Sequence, residues 1–126
     1  MYKIACITFL MTLSVAAMAG TPLSGEQVKQ LITGNSVALH SNVQGVDFKV
    51  YFAAGGLATS HNESNGKNFK GTWRINDSGE HCSKWGDRKE TCGQVLDYGD
   101  GTYKRMEEGY PRAVWKKIYP GNAFGL

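Results

Sequence analysis

The spacing of apolar residues changes period once along this chain. Between Ser24 and Asn35, Val28, Leu31 and Ile32 recur at i, i+3 and i+4, one stripe of a short amphipathic helix. Ser24 followed three residues later by Gln27 is a capping box: the hydroxyl accepts from the N3 amide, and Gln27 reaches back to the Ser24 N–H. Leu23 and Val28 stand at the two positions of a hydrophobic staple over that cap. Gly34-Asn35 ends the segment as a C′ glycine does. A helix of roughly two and a half turns is not stable alone, so its stripe predicts docking on the rest of the chain.

From Val46 onward the period is two. Val46, Phe48, Val50 and Phe52 alternate with Asp47, Lys49 and Tyr51, a strand with one buried face. Gly55-Gly56 turns the chain, Leu57 to His61 returns, and Asn62 to Gly66 is a polar loop. Phe69, Gly71, Trp73 and Ile75 alternate with Lys70, Thr72 and Arg74 as a second clean strand. Asn76 to Gly79, Gly99-Asp100-Gly101 and Glu107-Glu108-Gly109 read as further turns, and Tyr103 to Met106 as a short strand. A last strand runs from Ala113 to Tyr119, with Val114 and Ile118 on one face and Trp115 and Tyr119 on the other. Pro120-Gly121-Asn122 stops it. Turn signals at regular short intervals predict a mainly β fold: an antiparallel meander or small barrel of about seven to eight strands, with the one short N-terminal helix over a mouth or a face.

One hairpin can be aligned residue by residue. With its turn centred on Asp87, opposed residues have numbers that sum to 174. Cys82 then faces Cys92, Ser83 faces Thr91, and Lys84 faces Glu90, so a disulfide, a hydroxyl pair and an ion pair fall into one register. The loop so closed is short, and the chain-entropy model gives such a crosslink about 2–3 kcal/mol. It pins register more than it holds a domain together.

The N-terminus changes the picture of where this happens. Lys3 supplies a short positive region, residues 4 to 17 form an apolar run, and Ala17-Met18-Ala19 fits the small-x-small pattern of signal peptidase. Residues 1–19 are expected to be a Sec-type signal peptide cleaved after Ala19, leaving 20–126 as one exported β-rich domain, periplasmic or secreted. The apolar run is too short to be a transmembrane segment. Cleavage removes Cys6 and leaves Cys82 and Cys92 as an even pair for an oxidising compartment. Without Lys3 the chain carries 13 basic against 11 acidic residues, a net +2 that calls for no polyanionic partner.

Candidate chemistry is sparse. His61, His81, Cys82 and Cys92 are the metal candidates, but Cys-x9-Cys matches no common zinc spacing, and His81 points away from Cys82 on its strand. His40 and His61 read as exposed strand-end residues. No Gly-x-Ser-x-Gly or Ser-x-x-Lys motif is present, and the carboxylate pairs Glu107-Glu108 and Asp97/Asp100 sit at turns. The expectation is no catalytic residue, no metal and no cofactor: a binding module, not an enzyme. Asn62-Glu63-Ser64 and Asn76-Asp77-Ser78 match the glycosylation sequon but read as turns. The hairpin tip sets Trp85 among Asp87, Arg88 and Lys89, and Trp and Arg are the residue types that dominate recognition hot spots; alternatively, Trp85 folds back on the core while its neighbours are solvated. Basic and aromatic residues also interleave from Tyr103 to Tyr119, including Lys104, Arg105, Arg112 and Lys116. A half-buried strand shows the same alternation, and no nucleic-acid partner is expected.

Leu31-Ile32-Thr33-Gly34-Asn35-Ser36-Val37, Gly71-Thr72-Trp73, the two cysteines and Pro120-Gly121-Asn122 together resemble a group of small exported proteobacterial proteins of unknown function. In that group a Leu-x-Gly-Asn-Thr opening precedes a Gly-x-Trp strand and a two-cysteine core; Ser36 stands here for the usual threonine. The resemblance implies an envelope domain and carries no catalytic residues. In plan alone, a small calycin-like barrel with a disulfide is similar to the lysozyme inhibitors, although their inhibitory motif has no match in this chain. The expected partner is therefore a small ligand or an envelope protein, with inhibition of an exported hydrolase such as lysozyme as the alternative.

Overall fold

A computed structural model describes residues 20–126. The expected signal peptide, its cleavage after Ala19, and Cys6 lie outside the described residues. The described elements are β1 (Thr21–Pro22), α1 (Gly25–Ile32), β2 (Asn35–Ser41), β3 (Val46–Phe52), β4 (Leu57–Asn62), β5 (Asn68–Ile75), β6 (His81–Trp85), β7 (Thr91–Asp97), β8 (Tyr103–Glu107) and β9 (Tyr110–Tyr119). From β2 to β9 each strand pairs antiparallel with the next, and β9 pairs back with β2. Eight strands thus close into an up-and-down barrel, and β1 adds to β7 outside it.

The expected cap forms in full. Gln27 N–H donates to Ser24 Oγ at 3.2 Å and Ser24 N–H to Gln27 Oε1 at 2.8 Å. Gly34 takes φ 72°, the left-handed conformation that ends a helix at little cost to glycine. The apolar stripe then closes one end of the barrel. Val28 and Ile32 are fully buried with Val37, Phe52, Ala58, Trp73, Val95 and Trp115. Gly25 lies against the β5–β6 turn so closely that a Cβ there would stand 3.0 Å from Gly79 Cα.

Closure requires the first and last barrel strands to meet, and two short motifs latch that seam. Ser36 Oγ donates to Gly121 O at 2.7 Å and accepts from Ala123 N–H at 3.0 Å, and Gly121 N–H donates to Asn35 Oδ1 at 3.1 Å. The Gly-Asn-Ser opening and the Pro-Gly-Asn stop are therefore hydrogen-bonding partners across 85 residues of sequence.

Two expectations about the last strand are corrected. It begins at Tyr110, not Ala113. Its alternation is broken, because Leu39 pairs with Trp115 while Ala38 pairs with Lys117. Lys116 is the extra residue of a bulge, so Trp115 and Ile118 both pack on the core and Val114 does not share a face with Ile118. Outward positions carry Asp47, Lys49, Lys70, Arg74, Lys84 and Lys104, the reverse of the apolar band a lipid-facing barrel presents. Among the described residues no helix is long and apolar enough to cross a membrane.

Candidate functional site

The barrel end opposite the helix is open. Inside it lies a cavity of about 710 Å³, bounded by the β2–β3, β4–β5, β6–β7 and β8–β9 connections. Period-two alternation puts Leu39, Phe48, Val50 and Phe52 on its wall, and the bulge at Lys116 turns Trp115 inward to join them. Phe69, 47 % exposed, and Val43, 57 % exposed, stand at the rim.

Polar groups gather at its inner end. His81 is 2 % exposed; its ring meets Phe52 and Trp115 edge-on, with centroids 5.2 and 5.4 Å away. Arg105 is 6 % exposed and donates from Nε to His81 Nδ1 at 3.0 Å, and from Nη2 to the carbonyl oxygens of His81 and Thr91 at 3.2 and 2.8 Å. Arg105 Nη1 stands 3.4 Å from Glu107 Oε2, which Arg112 Nε approaches to 2.9 Å. A chain of charge-assisted contacts thus runs from rim to floor through Arg112, Glu107, Arg105 and His81. Burial, and after it the neighbouring Arg105 cation, push the His81 pKa from 6.5 down to about 3, so the ring is neutral. Burial also lowers the Arg105 pKa, which Glu107 opposes; a guanidinium starts so high that it stays charged.

The hairpin residues singled out in the sequence come together here. Trp85, Asp87, Arg88 and Lys89 all border the cavity. Trp85 is half-buried and packs against the core, with its ring over Gly71, where a Cβ would come within 2.7 Å of a ring carbon. Asp87, Arg88 and Lys89 are exposed. The hairpin has the expected register, with Cys82 disulfide-bonded to Cys92 and Ser83 opposite Thr91. The expected Lys84–Glu90 ion pair is replaced by another. Arg74, paired with Cys82 on the neighbouring strand, reaches Glu90 bidentately at 2.7 and 3.0 Å and holds its carboxyl below the usual range. A planar fork matches a carboxylate better than an ammonium does.

No metal site follows from these residues. Cys82, Glu90 and Cys92 lie together, but the two sulfurs are bonded to each other. His81 directs its lone pair to Arg105, while His40 and His61 hydrogen-bond Asp47 and Asn68 separately on the outer wall. Both sequon asparagines make Asx turns, Asn62 Oδ1 accepting from Ser64 N–H and Asn76 Oδ1 from Ser78 N–H.

In the sequence His81 stands out only as a metal candidate, and Arg105 only as one of the basic residues interleaved with aromatics from Tyr103 to Tyr119; their pairing is not apparent there. Their signal was parity: Tyr103, Arg105 and Glu107 share one face of β8, and Trp85, Ser83 and His81 one face of β6. Charged residues at inward parity mark a polar interior. Comparison of the sequence with family models and with curated proteins finds no match, so the likeness to the exported proteobacterial group rests on the short motifs quoted above.

Proposed function

We propose that this chain is an exported, non-enzymatic binding module, acting in the periplasm or outside the cell, that takes a small ligand into the barrel through the mouth framed by the Trp85 hairpin. The cavity of about 710 Å³ carries this reading. Small-molecule sites are concave and mostly apolar, with few polar groups and volumes of roughly 300–1,000 Å³. A barrel of eight strands can fill itself with side chains or hold one small ligand. Here the helix end is filled and the far end is not. The charged groups inside are tied to one another, which suits orientation of a ligand better than proton transfer.

N-phenyl-1-naphthylamine, a neutral apolar fluorophore, tests the reading. Its emission is expected to rise saturably with wild-type protein. Ser60→Phe, which pushes a ring into the cavity from a position 5 % exposed, is expected to lower the apparent affinity at least tenfold while circular dichroism stays native. Equal binding by both would place the dye on the surface and remove the proposal.

A second reading rests on the exposed tip Asp87 to Lys89, held on a hairpin stapled by the disulfide and by Arg74–Glu90. Such a rigid loop suits inhibition of an exported hydrolase such as lysozyme. Purified protein in micromolar excess should then slow the clearing of a cell-wall suspension, and an unchanged rate rejects it.

A further inference from the structure

The inner end of the cavity carries a polar group with unmet hydrogen-bonding capacity, and its neighbour fixes its chemistry. Arg105 has no lone pair to offer, so its Nε–H···Nδ1 contact of 3.0 Å fixes the His81 tautomer: Nδ1 accepts and Nε2 carries the proton. That Nε2–H is a buried donor with no partner among the described residues. Ser60 and Ser83, 5 % and 9 % exposed, line the same cavity. A closed core would not leave the His81 donor unpaired, because an unmade buried bond costs its full desolvation.

Complementarity then restricts what fits. A hydrocarbon would leave the His81 donor unmet. At this inner end a carboxylate would find no free cation: Arg105 is engaged with His81 Nδ1, two carbonyl oxygens and Glu107, whose own negative charge stands in the cavity, and Arg88 and Lys89 are exposed at the rim. A neutral oxygen acceptor meets the donor without adding charge. Resting on the binding reading above, we propose that the ligand is a largely apolar small molecule whose inner end bears a neutral acceptor, a carbonyl group, and that His81 selects it.

Displacement of N-phenyl-1-naphthylamine by 2-acetylnaphthalene, 2-ethylnaphthalene and 2-naphthoate compares three near-isosteres. With wild-type protein the ketone should displace the dye at about one-tenth the concentration the ethyl compound needs, and the carboxylate should do no better than the ethyl compound. His81→Gln, which can both accept from Arg105 and donate, should keep most of the ketone preference; His81→Phe should erase it. Equal potency of ketone and ethyl compound, a carboxylate that wins, or a folded His81→Phe that retains the preference overturns the proposal and leaves the binding reading standing. A protein that binds no dye overturns both. Should His81→Phe fail to fold, the wild-type ranking and His81→Gln decide alone.

Discussion

Arg105→Ala should lower the stability of the folded domain by about 3 kcal/mol, read as a fall in the urea midpoint at unchanged slope. Removing this side chain strands several groups at once. His81 Nδ1 and the carbonyl oxygens of His81 and Thr91 lose their donor, and Glu107 keeps only Arg112. Each buried group left unmade costs about 1–3 kcal/mol, and breaking a buried charge pair from one side costs about 3–5 kcal/mol. The sum overstates the effect, because the site adjoins a cavity open to solvent and water can replace part of the guanidinium. Arg105→Lys should recover less than half the loss, since one ammonium cannot span acceptors that the planar fork reaches together. A loss under about 1 kcal/mol would show that water substitutes well and that the network orients groups without holding the barrel together.

The parts of this fold that sequence made legible are those fixed locally. Ser24 and Gln27 cap a helix whose bonds lie within three residues, and the period-two runs of β3 and β5 declare their faces directly. The hairpin was legible because a tight turn and two cysteines left one register in which every pair was favourable. The β2 strand gave no such signal. Asn-Ser-Val-Ala-Leu-His-Ser has small and polar residues on both faces, and its strand identity comes from β3 and β9 on either side. Barrel closure was open for the same reason: it depends on pairing between positions 36 and 119, which no local pattern reports. The Lys116 bulge breaks the alternation at Trp115, so simple alternation groups this wall residue of the cavity with Tyr119 when it shares the core face with Ile118. His81 gives no local sign of its role, because beside Cys82 it suggests only a metal ligand. Its partner Arg105 lies 24 residues away, and the two meet only through the β6–β7–β8 arrangement.

Stability should also fall with acid well before the carboxylates titrate, and His81 sets the window. In the unfolded chain a histidine takes up its proton near pH 6.5; in the fold, burial and the Arg105 cation hold the ring neutral down to about pH 3. Between those values the unfolded state binds one proton more than the folded state. The stabilisation is therefore fully present above about pH 6.5 and is lost as pH falls towards 3, at up to about 1.4 kcal/mol per pH unit. From pH 6.5 to 5 the loss is roughly 1–2 kcal/mol, several degrees of melting temperature for a domain of this size. Asp47, Glu90 and Asp100 act in the same direction but later, because their partners hold them below the usual carboxylate range. His81→Gln removes the titrating ring while keeping an acceptor for Arg105, so its melting temperature should be flat from pH 7 to 5, where the wild type slopes. Parallel slopes in the two proteins would mean that the imidazole protonates inside the fold. The Nε2–H donor would then belong to a cation at mildly acidic pH, and an anionic ligand would gain the footing that the neutral ring denies it.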